Sequence, residues 1–237
     1  MSRVMASTAV GTMAVALAIG LTSTAHAQRH IVGTPGDDRI RGARGADVID
    51  ALAGDDRIGA RRGPDTVVGG PGLDRIWGGP GSDRLFGGVG NDRIWGQPGP
   101  DMSWGEDGND VMGGGPANDK QFGGNGDDLI YAARGNDESW GEEGNDTLWA
   151  MARRDVHGRN DQAGDVLHGG PGNDTFRVRD GEADVVDCGP GVDTVYADHK
   201  DVLAVPAECE VVNRARPRRG ADRPESVEPR DVTEPRD

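Results

Sequence analysis

From Gly33 onward the chain cycles every nine residues between six polar, Gly-rich positions and three positions whose middle member is apolar. Ile40, Ile49, Ile58, Val67, Ile76, Leu85 and Ile94 hold that middle place in the first seven cycles. A three-residue run with one apolar centre suits a short strand that buries a single face, because side chains alternate along a strand. The six residues before each run pair glycines, free to adopt positive φ, with Asn or Asp, which tolerate tight turns. A unit this small cannot bury its apolar residue alone and must stack on copies of itself. The pattern predicts an all-β fold: a right-handed parallel β-roll (β-solenoid) of nonapeptide repeats over residues 33–196. At strand spacing it would have about nine double turns and be roughly 43 Å long.

The register is strict for thirteen cycles, to Trp149. Five looser cycles are expected to follow, with single-residue insertions at Arg159 and within 178–187, which keep Asp155, Asp165, Asp174, Asp184 and Asp193 near the sixth place. Beyond Tyr196 the period stops. Val202, Leu203, Val205, Val211 and Val212 mark residues 197–212 as a small C-terminal cap, since the last turn of a roll exposes core and unpaired strand edge. Residues 213–237, rich in Arg, Pro, Glu and Asp, read as a disordered tail.

Every strict cycle has an Asp at its sixth place. Successive turns fall on opposite edges of a roll, so the neighbour of each Asp is the one eighteen residues on. Asp38, Asp56, Asp74, Asp92, Asp110, Asp128 and Asp146 form one row; Asp47, Asp65, Asp83, Asp101, Asp119 and Asp137 form the other. At a strand spacing of ~4.8 Å, two bare carboxylates repel by roughly 3–4 kcal/mol at an effective dielectric of about 20. A thin core cannot offset that sum, so a hard cation is expected between stacked turns. Calcium accepts many oxygens in loose geometry, whereas magnesium demands a tight octahedron. The His residues do not cluster, and no Cys pair has zinc spacing. The candidate ligands are these thirteen aspartates with Asp165, Asp174 and Asp193, holding several calcium ions and coupling folding to metal. The middle of the second row should hold its ions less well, because its inward places become polar: Ser103, Gln121, Ser139 and His157.

The cycle G-G-x-G-x-D-x-U-x, with U a large aliphatic, is met at every fixed place by GGVGNDRIW at Gly87 and GGNGDDLIY at Gly123. On these repeats, in phase over nearly its whole mature length, the chain resembles the RTX, or hemolysin-type, calcium-binding repeat family. The resemblance implies a calcium-binding β-roll. It also marks a departure, because exported RTX toxins use a one-step channel that reads an uncleaved C-terminal signal, and they rarely carry cysteine.

Here the start of the chain points to the general secretory route instead. Arg3, the apolar run 9–21 and the small-x-small site Ala25-His26-Ala27 predict a signal peptide over residues 1–27, cleaved after Ala27. That run is too short for a membrane span, and no later segment is apolar enough for one. Residues 28–32 are a short lead-in. The expected product is a secreted, extracellular bacterial protein. Cys188 and Cys209, the two cysteines, read as a disulfide whose loop of about twenty residues stabilises by roughly 3 kcal/mol.

A net charge of −15 argues against a nucleic-acid partner, because an acidic surface repels phosphate. No H-E-x-x-H, G-x-S-x-G or G-x-x-x-x-G-K-[ST] occurs, so the chain reads as a structural or matrix module rather than an enzyme. Aromatic residues gather at the ninth place, among them Trp77, Trp95, Trp104 and Trp140. They read as a self-stacking ladder with arginines lying on the rings. Alternatively they form an outward ligand face for an extracellular polysaccharide or a cell-surface protein.

Overall fold

A computed structural model describes residues 28–151, 164–204 and 209–214. The signal peptide, Asp155, His157 and residues 215–237 of the expected tail lie outside the described residues. Among the described residues, twenty strands alternate between two ten-stranded parallel sheets, successive strands going to opposite sheets. One sheet begins with Arg29–Val32, Asp47–Asp50 and Thr66–Pro71, the other with Arg39–Arg41, Arg57–Gly59 and Arg75–Trp77. No helix occurs among the described residues. The architecture is the all-β solenoid that the nine-residue cycle predicts.

The core is the single layer between the sheets. Ile58 pairs with Ile76, Ile76 with Ile94, and Ile94 with Met112, each eighteen residues on. Ile49, Val67, Leu85 and Leu167 build the opposite wall, and all of these side chains are fully buried. One apolar residue per strand suffices because the two sheets share one interior.

The turns set the backbone demands. At the fourth place Gly72 and Gly90 have φ of 157° and 135°. At the second place the left-handed region is needed even without glycine: Leu52, Arg61, Gln97, Glu106, Ala133 and Glu142 have φ between 73° and 82°. Each such residue costs about 1 kcal/mol, so stacking must impose a conformation the residue itself disfavours.

Two features differ from the sequence expectation. Val166–His168 lies directly on Glu138–Trp140, and Thr175 on Thr147, so the step between rungs widens from eighteen to 28 residues. The cycle expected around Asp155 therefore contributes no rung between these strands. Its first, second and fourth places are Ala150, Met151 and Arg153, whereas all thirteen strict cycles keep a glycine in at least one of these places. The second difference is at the C-terminal end. Val202–Leu203 and Val211–Arg214 add one more parallel strand to each sheet, pairing with Val185–Val186 and Thr194–Ala197. A disulfide joins Cys188 to Cys209 there, as expected, with Cα atoms 5.6 Å apart.

Candidate metal centres

From Asp56 and Asp65 onward, each described sixth-place carboxylate is anchored by the backbone of the Asp one rung before it. The N–H of Asp74 donates to Oδ1 of Asp92 at 2.8 Å, Asp92 to Asp110 at 2.7 Å and Asp110 to Asp128 at 2.7 Å. In the second row Asp65, Asp83 and Asp101 donate in the same way to Asp83, Asp101 and Asp119, each at 2.8 Å. The two rows deduced from the eighteen-residue spacing are therefore continuous hydrogen-bonded ladders. Asp165 follows Asp137, and Asp174 follows Asp146, across the wider step. Asp193 closes on Asp174 at 2.7 Å. A second ladder runs the opposite way at the fifth place, where the N–H of Asn145 donates to Asp127 and that of Asp127 to Asn109.

The other carboxylate oxygen is the informative one. Oδ2 of Asp56, Asp65, Asp74, Asp83, Asp92, Asp101, Asp110, Asp119, Asp128, Asp146, Asp174 and Asp193 is buried without a hydrogen-bond partner. A buried acceptor left in this state costs about 1–3 kcal/mol, and more when charged. The space beside it is shaped by the first-place glycine. A Cβ on Gly87 would sit 2.5 Å from Asp92 Oδ2 and 2.8 Å from the carbonyl of Gly105, and Gly78 repeats this with Asp83 and Gly96. Carbonyls at the second and fourth places, such as those of Gly70 and Gly72, face the glycines at the same places one rung on. The turns of these twelve aspartates thus bring one unpartnered carboxylate oxygen close to carbonyl oxygens of the neighbouring rungs.

Burial raises the pKa of these carboxyl groups. Asp65, Asp74, Asp110 and Asp146 are pushed to about 6, and Asp83 and Asp174 to about 7. Asp92, Asp101 and Asp128 reach about 8, Asp119 about 9 and Asp165 about 10. Desolvation is the main cause throughout. Charge repulsion from row neighbours adds to it, and the backbone hydrogen bond opposes both. Without a counter-charge, the fold resists ionisation of the groups that fill its turns. A hard divalent cation removes that conflict, because it supplies positive charge and accepts oxygen donors alone. The donor set fits calcium.

Not every predicted ligand is placed alike. Oδ2 of Asp38 accepts the N–H of Thr34 at 2.5 Å and its hydroxyl at 2.9 Å, and Oδ2 of Asp47 accepts the N–H of Ala43 at 2.6 Å. At this end the turn itself satisfies the second oxygen. At the other end two ladder members lie outside the nine-residue cycle. Asp201 accepts the N–H of Asp184, and Glu210 that of Asp193 at 2.8 Å. The signal was present in the chain, since each acid directly precedes an apolar pair, Val202-Leu203 and Val211-Val212.

The inward polar residues form a stripe. Ser103, Gln121 and Ser139 lie on adjacent strands, buried, with the Ser139 hydroxyl donating to Gln121 Oε1 at 3.2 Å. The aromatic residues stack as ladders. Phe86, Trp104, Phe122, Trp140 and His168 follow one another with ring centroids 4.5, 5.5, 4.5 and 5.3 Å apart and nearly parallel planes. Trp77 stacks on Trp95 at 5.5 Å. Both are buried, Trp95 lying over Gly113, whose missing side chain leaves room for the ring. Cations do lie on rings: Lys120 on Trp140, Arg177 between Trp149 and Tyr196, and Arg179 on Tyr196.

The model of the RTX calcium-binding nonapeptide repeat, in four copies, matches residues 32–67, 60–94, 68–103, 86–121, 113–148 and 161–195. The break in these matches falls where the ladder step widens to 28 residues. No curated protein matches the chain.

Proposed function

This chain belongs to the RTX calcium-binding nonapeptide repeat family, and from that premise we propose that it is a secreted structural or matrix module whose β-roll orders on binding calcium. The repeats are calcium-binding repeats. The ions would sit in the turn notches, held by Oδ2 of Asp56 to Asp128 in both rows, and of Asp146, Asp174 and Asp193, together with turn carbonyls. Asp137 and Asp165 take part as the ladder's connecting members across the wide step. Asp38 and Asp47, whose second oxygens are satisfied within their own turns, would cap the first rungs.

One observation carries this reading: a dozen buried carboxylate oxygens, stacked in two rows, have no partner. The Cys188–Cys209 disulfide supports export, since such bonds persist in oxidising compartments. The absence of any hydrolase or nucleotide-binding motif supports a binding role rather than catalysis. Adhesion through the aromatic columns has less support. Parallel stacking turns the ring faces towards each other and leaves edges to solvent, which removes the flat platform a sugar ring stacks on.

Circular dichroism of the mature protein, first with EGTA and then with millimolar calcium, tests the proposal. A β signal should appear with calcium at a midpoint of ~10⁻⁴–10⁻³ M. A full β signal at neutral pH, unchanged by chelation, would falsify metal-coupled folding.

A further inference from the structure

The turn 178–184, between strands Thr175–Val178 and Val185–Asp187, breaks the repeat rule twice. Val178 is fully buried at the first place of the turn, where the thirteen strict cycles have only glycine or alanine. One inserted residue also lengthens the ladder step to 19. In exchange the turn carries two extra acids, Asp180 and Glu182, on alternate residues before Asp184. Acids elsewhere in the turns, such as Glu106 and Glu142, point to solvent, but Asp180 and Glu182 are half-buried. Carboxylate oxygens of Asp180, Glu182 and Asp184 lie within 4.8 Å of one another, an arrangement found once among the described residues.

Further observations show that this cluster is more than a charged surface. Asp184 is fully buried; its Oδ1 accepts the N–H of Asp165 at 2.8 Å, and its Oδ2 has no hydrogen-bond partner. Asp198, in the next turn on the same edge, is also fully buried with an unpartnered Oδ2, and its charge repels that of Asp180. Of the nearby basic groups, Lys200 and Arg214 donate to backbone carbonyls, while the Lys200 charge also acts on Asp180 and His199 Nδ1 lies 3.8 Å from Asp198 Oδ1. Lys200 Nζ donates to the carbonyl of Gly181, and Arg214 donates to those of Asp198 and Asp201 at 3.1 and 3.3 Å.

We propose that Asp180, Glu182 and Asp184 form a separate calcium site, built from side-chain carboxylates rather than turn carbonyls, which Asp198 faces from the next turn. The ion would join the last two turns on that edge where the glycine repeat gives out. With more charge gathered on one ion than a repeat notch offers, this site should fill at lower calcium. It does not depend on the reading of the repeat turns.

Equilibrium dialysis of calcium on the full mature chain, with hydrogen exchange on the same samples, tests this. The double variant D180N/E182Q should bind one ion fewer than the wild type and lose the tightest phase of the titration. Exchange at Val202 and Ala204, whose N–H groups donate to Asp184 and Val186, should quicken about tenfold, while Arg93 and Val111 stay protected. E182Q alone keeps the hydrogen bond from the Glu182 backbone to Asp180, so it probes the site should the double variant misfold. Wild-type stoichiometry and unchanged exchange in both variants overturn the proposal. D110N, which removes a repeat ligand, separates the two readings: an ion lost in D110N but not in D180N/E182Q defeats this site and leaves the repeats standing. A wild type that binds one ion, lost only in D180N/E182Q, does the reverse.

Discussion

Acid should substitute for calcium in folding this protein. Take Asp92, Asp101, Asp119 and Asp128, which the fold pushes to about 8 or 9 from the ordinary 3.8. Between those limits the folded, metal-free chain holds protons on these groups while the unfolded chain has released them. The folded state therefore binds more protons, and its stability falls as pH rises through the window. Below pH ~4 that penalty is absent, and above the folded values it is complete. Each such group contributes about 1.4 kcal/mol per pH unit, so these four alone give roughly 5 kcal/mol per unit near pH 6. That slope is comparable to the whole stability of a small domain, about 5–15 kcal/mol, so the transition should finish within one to two pH units. Far-ultraviolet circular dichroism in EGTA, scanned from pH 7.5 to 4.5 with light scattering to exclude precipitation, should show β structure appearing on acidification. With saturating calcium the sign reverses, because protons compete for the ligand oxygens. A β signal in EGTA that falls with acid, or stays level across the scan, would refute the idea that unpaired ionisation is what opposes folding.

Other substitutions bear on separate parts of the argument. Gly87→Ala places a methyl beside Asp92 Oδ2 and the Gly105 carbonyl; it should cost about 1–3 kcal/mol and one bound calcium by dialysis. The β signal should survive at high calcium, since Ala51, Ala60 and Ala132 already occupy the same place in other turns. Ile94→Ala empties a fully buried place between Ile76 and Met112 and should lower the urea midpoint by the equivalent of about 2–5 kcal/mol. Cys209→Ala opens the terminal loop and should cost roughly 3 kcal/mol in the oxidised protein, with no effect under reducing conditions beyond the wild type's own loss.

The period alone determined much of this molecule. Nine-residue spacing dictated strand length and which residue faces inward, and thus that Asp92 stands over Asp74 and Ile94 over Ile76, because in a parallel stack contact follows from sequence distance. The metal was legible for the same reason, since a row of like charges at strand spacing calls for a counter-ion. Local pattern could not decide where the repetition would fail. The cycle around Asp155 keeps its Asp but lacks the turn glycines, and only the pairing of Val166–His168 with Glu138–Trp140 shows the ladder stepping past it. Asp201 and Glu210 lie outside the cycle, yet a free sheet edge recruits any acid followed by apolar residues that can reach it. The burial of Trp77 and Trp95 depends on neighbours such as Gly113 across the sheet. The partner of each aspartate oxygen was also undecided, because Oδ1 and Oδ2 differ only once the next turn has been laid against them, giving one an amide and leaving the other bare.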